Sequence, residues 1–197
     1  MKLKIYQVGE EVLRQKARPL SIEEILSPKT QQLIELMRET MLDAPGVGLA
    51  APQIGLPFQL AVVEDREEKI NELTPEVVAE RERVPVPFHV IINPTLIIEQ
   101  QETVEFFEGC LSLAGFTALV PRARVAQVEC LNERGEPSII HAQGWYARIL
   151  QHEIDHLNST LYIDRMQSRS FMSADNYARY WKDKSIEHLR AAIIDPQ

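Results

Sequence analysis

The sequence predicts an α+β fold with one hydrophobic core. Extended segments fill the middle of the chain, and the main helical segments lie toward its two ends. No internal repeat, low-complexity run or interdomain linker divides the 197 residues, so residues 1–197 are expected to form a single domain. Hydrophobic residues make up 45% and charged residues 25%, which is typical of a globular protein and excludes disordered and collagen-like chains.

Caps, alternation and turn residues assign the elements along the chain. Ser27 can cap a helix that has Pro28 in its first position. Residues 125–131 alternate between apolar and polar side chains, which indicates a strand. Asn93 and Pro94 interrupt another strand and predict that it lies at an edge or bends. The expected elements are an extended start (3–8), a helix (28–43), strands (58–63 and 89–98), extended segments (104–113 and 117–120), strands (125–131 and 138–142) and helices (145–157 and 173–192).

Acidic charge is concentrated in the segment 64–87. Eight acidic and four basic residues between Glu64 and Arg83 supply −4 of the net charge of −8. The charge density and the prolines at the end of the segment disfavour a packed core, so we expect a mobile surface insertion.

The charge pattern also excludes classes of partner. An acidic chain without a basic cluster is not expected to bind nucleic acid or an anionic membrane. No apolar stretch reaches the roughly 18 residues of a membrane span, and the first residues do not have the pattern of a leader peptide. We therefore expect a cytoplasmic protein.

The residues 152–156 read HExxH within a helical segment. His152 and His156 are one helical turn apart on the same face, close enough to share a metal ion. Glu153 flanks the metal without ligating it, which is the position of a general base in a metallohydrolase.

The third ligand is not fixed by this motif. The downstream pattern of metzincins fails because Ser159 and Tyr162 occupy the required Gly and His positions, and the only later glutamate is Glu187 near the end of the chain. Cys110 is favoured, because Gly109 before it lets the backbone approach a bound group closely. The upstream candidates are His89, Cys110, Cys130 and His141.

Three motifs, in order along the chain, resemble the peptide deformylase family. They are GxGLAAxQ at 46–53, EGCLS at 108–112 and QHExDH at 151–156. Taken alone, the first of them would be a tight apolar turn with Gln53 at the surface. The similarity extends from the first helix to Arg165. It implies mixed, mostly antiparallel strands wrapped around a central helix that carries HExDH.

The resemblance also implies an activity and a set of roles. The activity is metal-dependent hydrolysis of the N-formyl group of N-formylmethionine at the start of nascent polypeptides, which releases formate. Glu153 is then the acid and base, while the Gln53 amide and the Leu111 backbone N–H hold the formyl oxygen. The implied metal ligands are Cys110, His152 and His156. Fe²⁺ is implied as the natural ion, with Zn²⁺, Ni²⁺ or Co²⁺ able to occupy the site.

A methionine side chain needs an apolar pocket beside the metal. Trp145 and Ile149 are candidates because they share the helix face of the metal ligands. Glu108 is expected near the site, in an ion pair with Arg122. The expected substrate-binding residues are Val47, Gly48, Phe106, Glu108, Trp145 and Ile149. The expected partners are formylmethionyl peptides and nascent chains, with transient association with the ribosome.

The chain departs from the commonest bacterial form of the family after Ser112. It continues Leu-Ala-Gly-Phe at 113–116 where many bacterial members have Ile-Pro. The runs 115–118 and 144–150 look more like the organelle-type branch. Two other functions stay open: an HExxH endopeptidase, which would not need Cys110, and a non-enzymatic metal-storing, metal-sensing or ribosome-binding protein. Glu153 and Gln53 argue against the second, because storage needs neither a base nor an oxyanion donor.

Overall fold

Antiparallel strands form two sheets in the computed structural model, which describes residues 2–98 and 102–196. The strands are β1 (Gly48–Ala50), β2 (Leu60–Asp65), β3 (Val86–Ile97), β4 (Thr103–Cys110), β5 (Leu113–Ala123), β6 (Val125–Leu131), β7 (Pro137–Gln143) and β8 (Met172–Ser173). The larger sheet has the order β1-β2-β3-β6-β7, and the smaller one has the order β4-β5-β8. All of these pairings are antiparallel, so the predicted α+β class is confirmed.

Two longer helices and several short ones complete the fold. The α-helices are α1 (Ile22–Leu26), α2 (Pro28–Asp43), α3 (Glu67–Ile70), α4 (Pro75–Glu80), α5 (Gly144–Leu157), α6 (Ala174–Asn176) and α7 (Ile186–Leu189). Short 3₁₀ turns lie at Glu11–Arg14, Ala51–Ile54, Tyr162–Asp164 and Ser168–Ser170, and π-helical turns at Tyr177–Trp181 and Arg190–Ile194. The predicted cap of α2 is present, since the Thr30 N–H donates to Ser27 Oγ at 3.3 Å. None of the helices among the described residues has the length and apolar character needed to cross a bilayer.

The expected single helix over 173–192 is wrong. The first helical stretch ends at Trp181. Ser185 then caps a separate helix, where its side chain accepts the His188 backbone N–H at 3.2 Å. An N-cap in the middle of a helical pattern ends one helix and begins another, because its backbone is extended.

The larger sheet lies between α2 and α5. On β2, Leu60 and Val62 are buried in the cluster formed with α2, whereas Ala61 and Val63 are buried in the cluster formed with α5. Covering of both faces explains why residues 60–63 of β2 are all apolar rather than alternating. The helix α5 is buried along most of its length, so its side chains are held rigidly.

The strand interrupted by Asn93 and Pro94 bends but is not at an edge. It forms β3, the central strand of the larger sheet. Asn93 adopts a φ of 51°, and the register with β6 shifts between Ile92 and Thr95. The irregularity removes the proline from the regular ladder, so a central position is tolerated.

The charged segment 64–87 is only partly an excursion from the sheet. Its first residues, Glu64 and Asp65, are buried at the end of β2, and its last two residues begin β3. The expectation that the whole segment lacks a packed core is therefore wrong at both ends. Between the strands lie α3 and α4, where Ile70 is also buried.

Candidate metal centre and substrate cleft

Three potential metal ligands meet between α5 and the end of β4. His152 and His156 lie one turn apart on α5, and Cys110 is the last residue of β4. Their ligand atoms all lie within 4.8 Å of one another, and Cys110 Sγ is 3.3 Å from His156 Nε2. One thiol and two imidazoles form a donor set that suits a divalent transition metal and leaves a position for a reactant.

The other sequence candidates for a third ligand are not part of this group. Cys130 is buried in the apolar cluster between the sheet and α5. The ring of His89 lies with Nε2 at 3.0 Å from the Tyr146 hydroxyl, and His141 is exposed on β7. The structure thus singles out Cys110 among the four candidates.

Glu108 holds His152 in a defined orientation. Its Oε2 lies 3.0 Å from His152 Nδ1, which leaves the other ring nitrogen for a metal. Arg122 donates two hydrogen bonds to the Glu108 carboxylate, at 2.9 and 3.0 Å, and Arg148 donates one at 2.6 Å. Burial alone would raise the pKa of Glu108, but the bonds from His152 and Arg122 hold it well below its ordinary value. Glu108 was predicted to contact substrate, but its carboxylate oxygens are already bonded to Arg122, Arg148 and His152.

Asp155 explains the aspartate of the HExDH motif. Its carboxylate accepts hydrogen bonds from Arg165 at 2.6 and 2.7 Å and also pairs with Arg122. Arg122 therefore bridges the carboxylates of Asp155 and Glu108 beneath the histidines. Sequence reasoning missed Asp155 and Arg165; the only available signal was an aspartate on an otherwise buried face of the helix.

The carboxylate of Glu153 lies against the backbone of Gly48, which has no side chain. A Cβ built on Gly48 would be 2.2 Å from Glu153 Oε1, so only glycine leaves room for the carboxylate. Burial raises the pKa of Glu153 to about 7, and Glu153 Oε2 is buried without a hydrogen-bond partner among the described residues. Such a carboxyl group can take up and release a proton near neutral pH.

Gln53 is buried rather than at the surface. It lies in the 3₁₀ turn after β1, where its Oε1 accepts the Ala50 N–H at 2.8 Å. Its Nε2 lies 3.2 Å from Ser112 Oγ and 3.5 Å from Cys110 Sγ, so the amide donor is aimed at the candidate metal centre. Leu111 follows Cys110, and its carbonyl is held by Gln7 Nε2 at 2.9 Å.

A cleft of about 770 Å³ opens beside these groups. Most of the predicted substrate-binding residues line it, and so do Gln53, Leu111 and the side chain of Arg148. The predicted residues in the lining are Val47, Gly48, Glu108, Trp145 and Ile149. Arg148 was missed by the sequence reasoning; burial lowers its pKa to about 10, so it stays charged at neutral pH.

Phe106 does not line the cleft, and Phe107 does. The prediction of Phe106 as a pocket residue is wrong because successive residues of a strand point to opposite faces. The Phe106 ring instead packs 6.3 Å from the ring of Trp145 and 5.2 Å from the Arg148 guanidinium. It supports the cleft wall from outside.

Comparison with known proteins agrees with this geometry. A sequence model described as Polypeptide deformylase matches residues 2–171. The chain belongs to this family. Peptide deformylase 1 of Bifidobacterium longum is 46% identical over 185 residues, which cover 93% of this chain and 82% of the relative.

Two further relatives show how far the family likeness extends. Chloroplastic peptide deformylase 1A of Solanum lycopersicum is 44% identical over 87% of this chain, but the chain spans only 62% of that relative's length. A crystal structure of a class I type b peptide deformylase from Acinetobacter baumannii, with Met-Ala-Ser bound, has a TM-score of 0.74 at 32% identity and covers 84% of this chain and 99% of its own. Organelle and bacterial deformylases are similarly close, so the organelle-type assignment stays a prediction.

Proposed function

We propose that this protein hydrolyses the N-formyl group of N-formylmethionine at the start of nascent polypeptides and releases formate and a free amine. The observation that carries the proposal is the convergence of Cys110, His152 and His156 beside Glu153 in an apolar cleft. Membership of the polypeptide deformylase family supports it. We take residues 1–197 as one catalytic domain.

The ligand set proposed is Cys110, His152 and His156, and the ion is proposed to be Fe²⁺, with Zn²⁺, Ni²⁺ or Co²⁺ as substitutes. A divalent ion bound there supplies Lewis acidity and makes a nearby water more acidic. The orientation of His152 by Glu108 supports this assignment, because such partners fix the ring nitrogen that faces a metal.

Glu153 is proposed to move the proton during the reaction. A carboxyl group with a pKa of about 7 accepts a proton from the attacking water and returns it to the leaving amine. The return step is necessary because an amide anion is a poor leaving group. The position of the carboxylate against Gly48 supports this role, since the close contact restricts where the base can lie.

Gln53 and Leu111 are proposed to stabilise the negative charge that develops on the formyl oxygen. The Gln53 amide is held from behind by Ala50, so its N–H group is already in place before the reaction. The backbone N–H of Leu111 would be a second donor, because Leu111 lies in the lining of the cleft beside Cys110.

The apolar lining of the cleft fits an unbranched methionine side chain. Val47, Trp145 and Ile149 contribute to it. Met-Ala-Ser, which is bound to the Acinetobacter relative, has the sequence expected of a deformylated product. Action on nascent chains in the cytoplasm, with transient association with the ribosome, is part of the proposal and rests on the family resemblance.

Formate release from formyl-Met-Ala-Ser tests the proposal, with acetyl-Met-Ala-Ser as the matched substrate. The metal-loaded protein should release formate and leave the acetyl peptide and the internal peptide bonds intact. The Glu153→Gln variant should keep its metal and lose activity by about 10²–10⁴-fold or more. The Cys110→Ser variant should lose most of its metal, because a hydroxyl is a poorer ligand than a thiolate.

Three results would contradict the proposal. Internal cleavage of longer peptides would favour an endopeptidase. Tight metal binding without any hydrolysis would favour storage or sensing. Full metal content in Cys110→Ser, measured by elemental analysis, would refute the ligand set.

A further inference from the structure

The charged segment between β2 and β3 is closed at its base by a buried ion pair. Arg83 donates to the two carboxylate oxygens of Asp65 at 2.8 and 2.9 Å, and both side chains are shielded from solvent. A bidentate pair of this kind fixes geometry as well as charge. The residues 66–85 therefore leave and rejoin the sheet at one fixed point.

The first part of this segment holds the glycine-rich loop of the cleft. Lys69, in α3, donates from Nζ to the carbonyl oxygen of Gly46 at 2.8 Å. Burial lowers the pKa of Lys69, which agrees with an amino group held away from bulk water at this contact. Gly46 lines the cleft, and two residues later Gly48 touches the carboxylate of Glu153. Movement of the loop would thus change both the pocket and the position of the base.

The last part of the segment holds Trp145. The backbone N–H of Trp145 donates to the Arg81 carbonyl oxygen at 2.8 Å. The Arg81 guanidinium lies 4.6 Å from the centroid of the Trp145 indole ring. The neighbouring residues Glu82 and Gly144 also approach each other closely, since a Cβ built on Gly144 would lie 2.5 Å from Glu82 Cβ. Arg124 in turn holds the Glu82 carboxylate with bonds of 2.6 and 2.9 Å.

We propose that residues 66–85 are a rigid support of the substrate cleft, in which Lys69 and Arg81 are positioning residues that set the pocket for the first substrate side chain. Both act through another residue, Lys69 through Gly46 and Arg81 through Trp145. The inference deepens the proposed deformylase function and rests on it for the identity of the substrate. The segment would then contribute to substrate selectivity, whereas the sequence predicted only a mobile surface insertion.

The selectivity for the first side chain tests this proposal. We compare kcat/KM for formyl-Met-Ala-Ser and formyl-Ala-Ala-Ser, because a short alanine does not fill the pocket. Lys69→Met keeps the aliphatic stem and removes the donor, and it should lower the Met/Ala preference about tenfold through a higher KM for the methionine substrate. Arg81→Gln should lower it about threefold, because the backbone contact to Trp145 survives.

Two control variants separate positioning from general damage. Lys69→Arg keeps a charged donor and should recover part of the preference. Lys182→Met is the matched lysine change at an exposed site in the C-terminal region and should behave as wild type. A merely structural role of Lys69 would lower the rates for both substrates equally and leave their ratio unchanged.

Amide hydrogen exchange makes the test independent of the reaction. In Lys69→Met, the amides of Gly46 and Gly48 should exchange faster than in wild type. If wild type releases no formate, the proposed function fails, and the exchange measurement still decides whether the segment supports the loop. Unchanged exchange in this loop together with an unchanged substrate ratio would overturn the inference.

Discussion

At the residue scale, the position of Glu153 depends on the absence of a side chain at Gly48. A methyl group there would lie 2.2 Å from Oε1 and 2.6 Å from Cδ of Glu153, so the carboxylate would have to move. We expect Gly48→Ala to lower kcat/KM about 10²-fold or more, because small displacements of a reacting group are costly. Metal content should remain at the wild-type level, since none of the three ligands is displaced. Steady-state kinetics and elemental analysis measure the two quantities.

Gly46→Ala is the matched comparison for this prediction. Its Cβ would meet Leu111 Cδ1 at 2.8 Å and Met41 Cγ at 3.3 Å. The nearest of these atoms, Leu111 Cδ1, is the end of a flexible side chain that can rotate away, so the loss of activity should be clearly smaller than in Gly48→Ala. Equal losses in the two variants would mean that the loop as a whole, rather than the contact with Glu153, is sensitive.

The sequence predicts the role of a residue well where its partners are close in sequence. It predicts the role poorly where the partners come together only in the tertiary structure. The pairing of His152 and His156 follows from helical periodicity alone, and the structure brings them together. The choice between Phe106 and Phe107 depends on which face of β4 meets the cleft, which strand alternation alone does not state. Arg148 looked like any helical arginine, because its partner Glu108 lies on another element.

At the element scale, Gln151 ties α5 to the end of β5. Its Oε1 accepts the Ala123 N–H at 3.0 Å, and its Nε2 donates to the Ala123 carbonyl at 2.8 Å. We expect Gln151→Leu to lower the free energy of unfolding by about 2–4 kcal/mol, because it leaves a buried N–H and a buried carbonyl without partners. Urea denaturation followed by circular dichroism measures this quantity.

The exposed Gln32 on α2 is the control for this change. Gln32→Leu should alter the free energy of unfolding by less than about 0.5 kcal/mol, as surface substitutions usually do. A Gln151→Leu variant as stable as wild type would show that the bonds to Ala123 do not anchor the helix.

Elements were predictable from local signals and misjudged where two signals competed. The cap at Ser27 and the proline after it located α2 correctly. At the C-terminal end one helix was expected over 173–192, but Ser185 accepts the His188 N–H and so caps a second helix. Pro94 argued for an edge strand, yet the irregular register around it allows β3 to lie at the centre.

At the scale of the whole molecule, carboxylates pair with arginines from other elements of the fold. Arg38 of α2 bonds to Glu64 of β2 at 2.8 and 2.9 Å, and Arg122 of β5 bonds to Glu108 of β4. The composition did not reveal these links, since the acidic charge predicted only that the chain does not bind nucleic acid or an anionic membrane. The charged segment belongs to the same pattern, because Asp65 pairs with Arg83. Glu82 likewise pairs with Arg124, which lies between β5 and β6.

These pairs predict how stability depends on acid. The bond from Arg38 lowers the pKa of Glu64, and the bond from Arg18 lowers the pKa of Glu24 to about 2. A carboxylate whose pKa is lowered in the folded state stabilises the fold when the pH is above its ordinary pKa of about 4.5. This stabilisation disappears as the pH falls through the lowered pKa of the folded state. The free energy of unfolding should therefore decrease steadily from pH 4.5 to pH 2. Glu153, whose pKa is raised to about 7, stays protonated in the folded state over this range, and it opposes this trend only near pH 4.5, where the unfolded chain is still partly ionised at this residue.

The measurement is urea denaturation of the metal-free protein at a series of pH values, so that acid release of a metal plays no part. Glu64→Gln should be less stable than wild type at pH 5, and this difference in the free energy of unfolding should narrow as the pH falls toward 2, because the wild-type carboxylate is progressively protonated. Glu76→Gln, at an exposed position in the charged segment, should follow the wild-type curve throughout. A Glu64→Gln curve that runs parallel to wild type down to pH 2 would mean that Glu64 stabilises the fold by packing, and that its charge makes no contribution to the acid dependence.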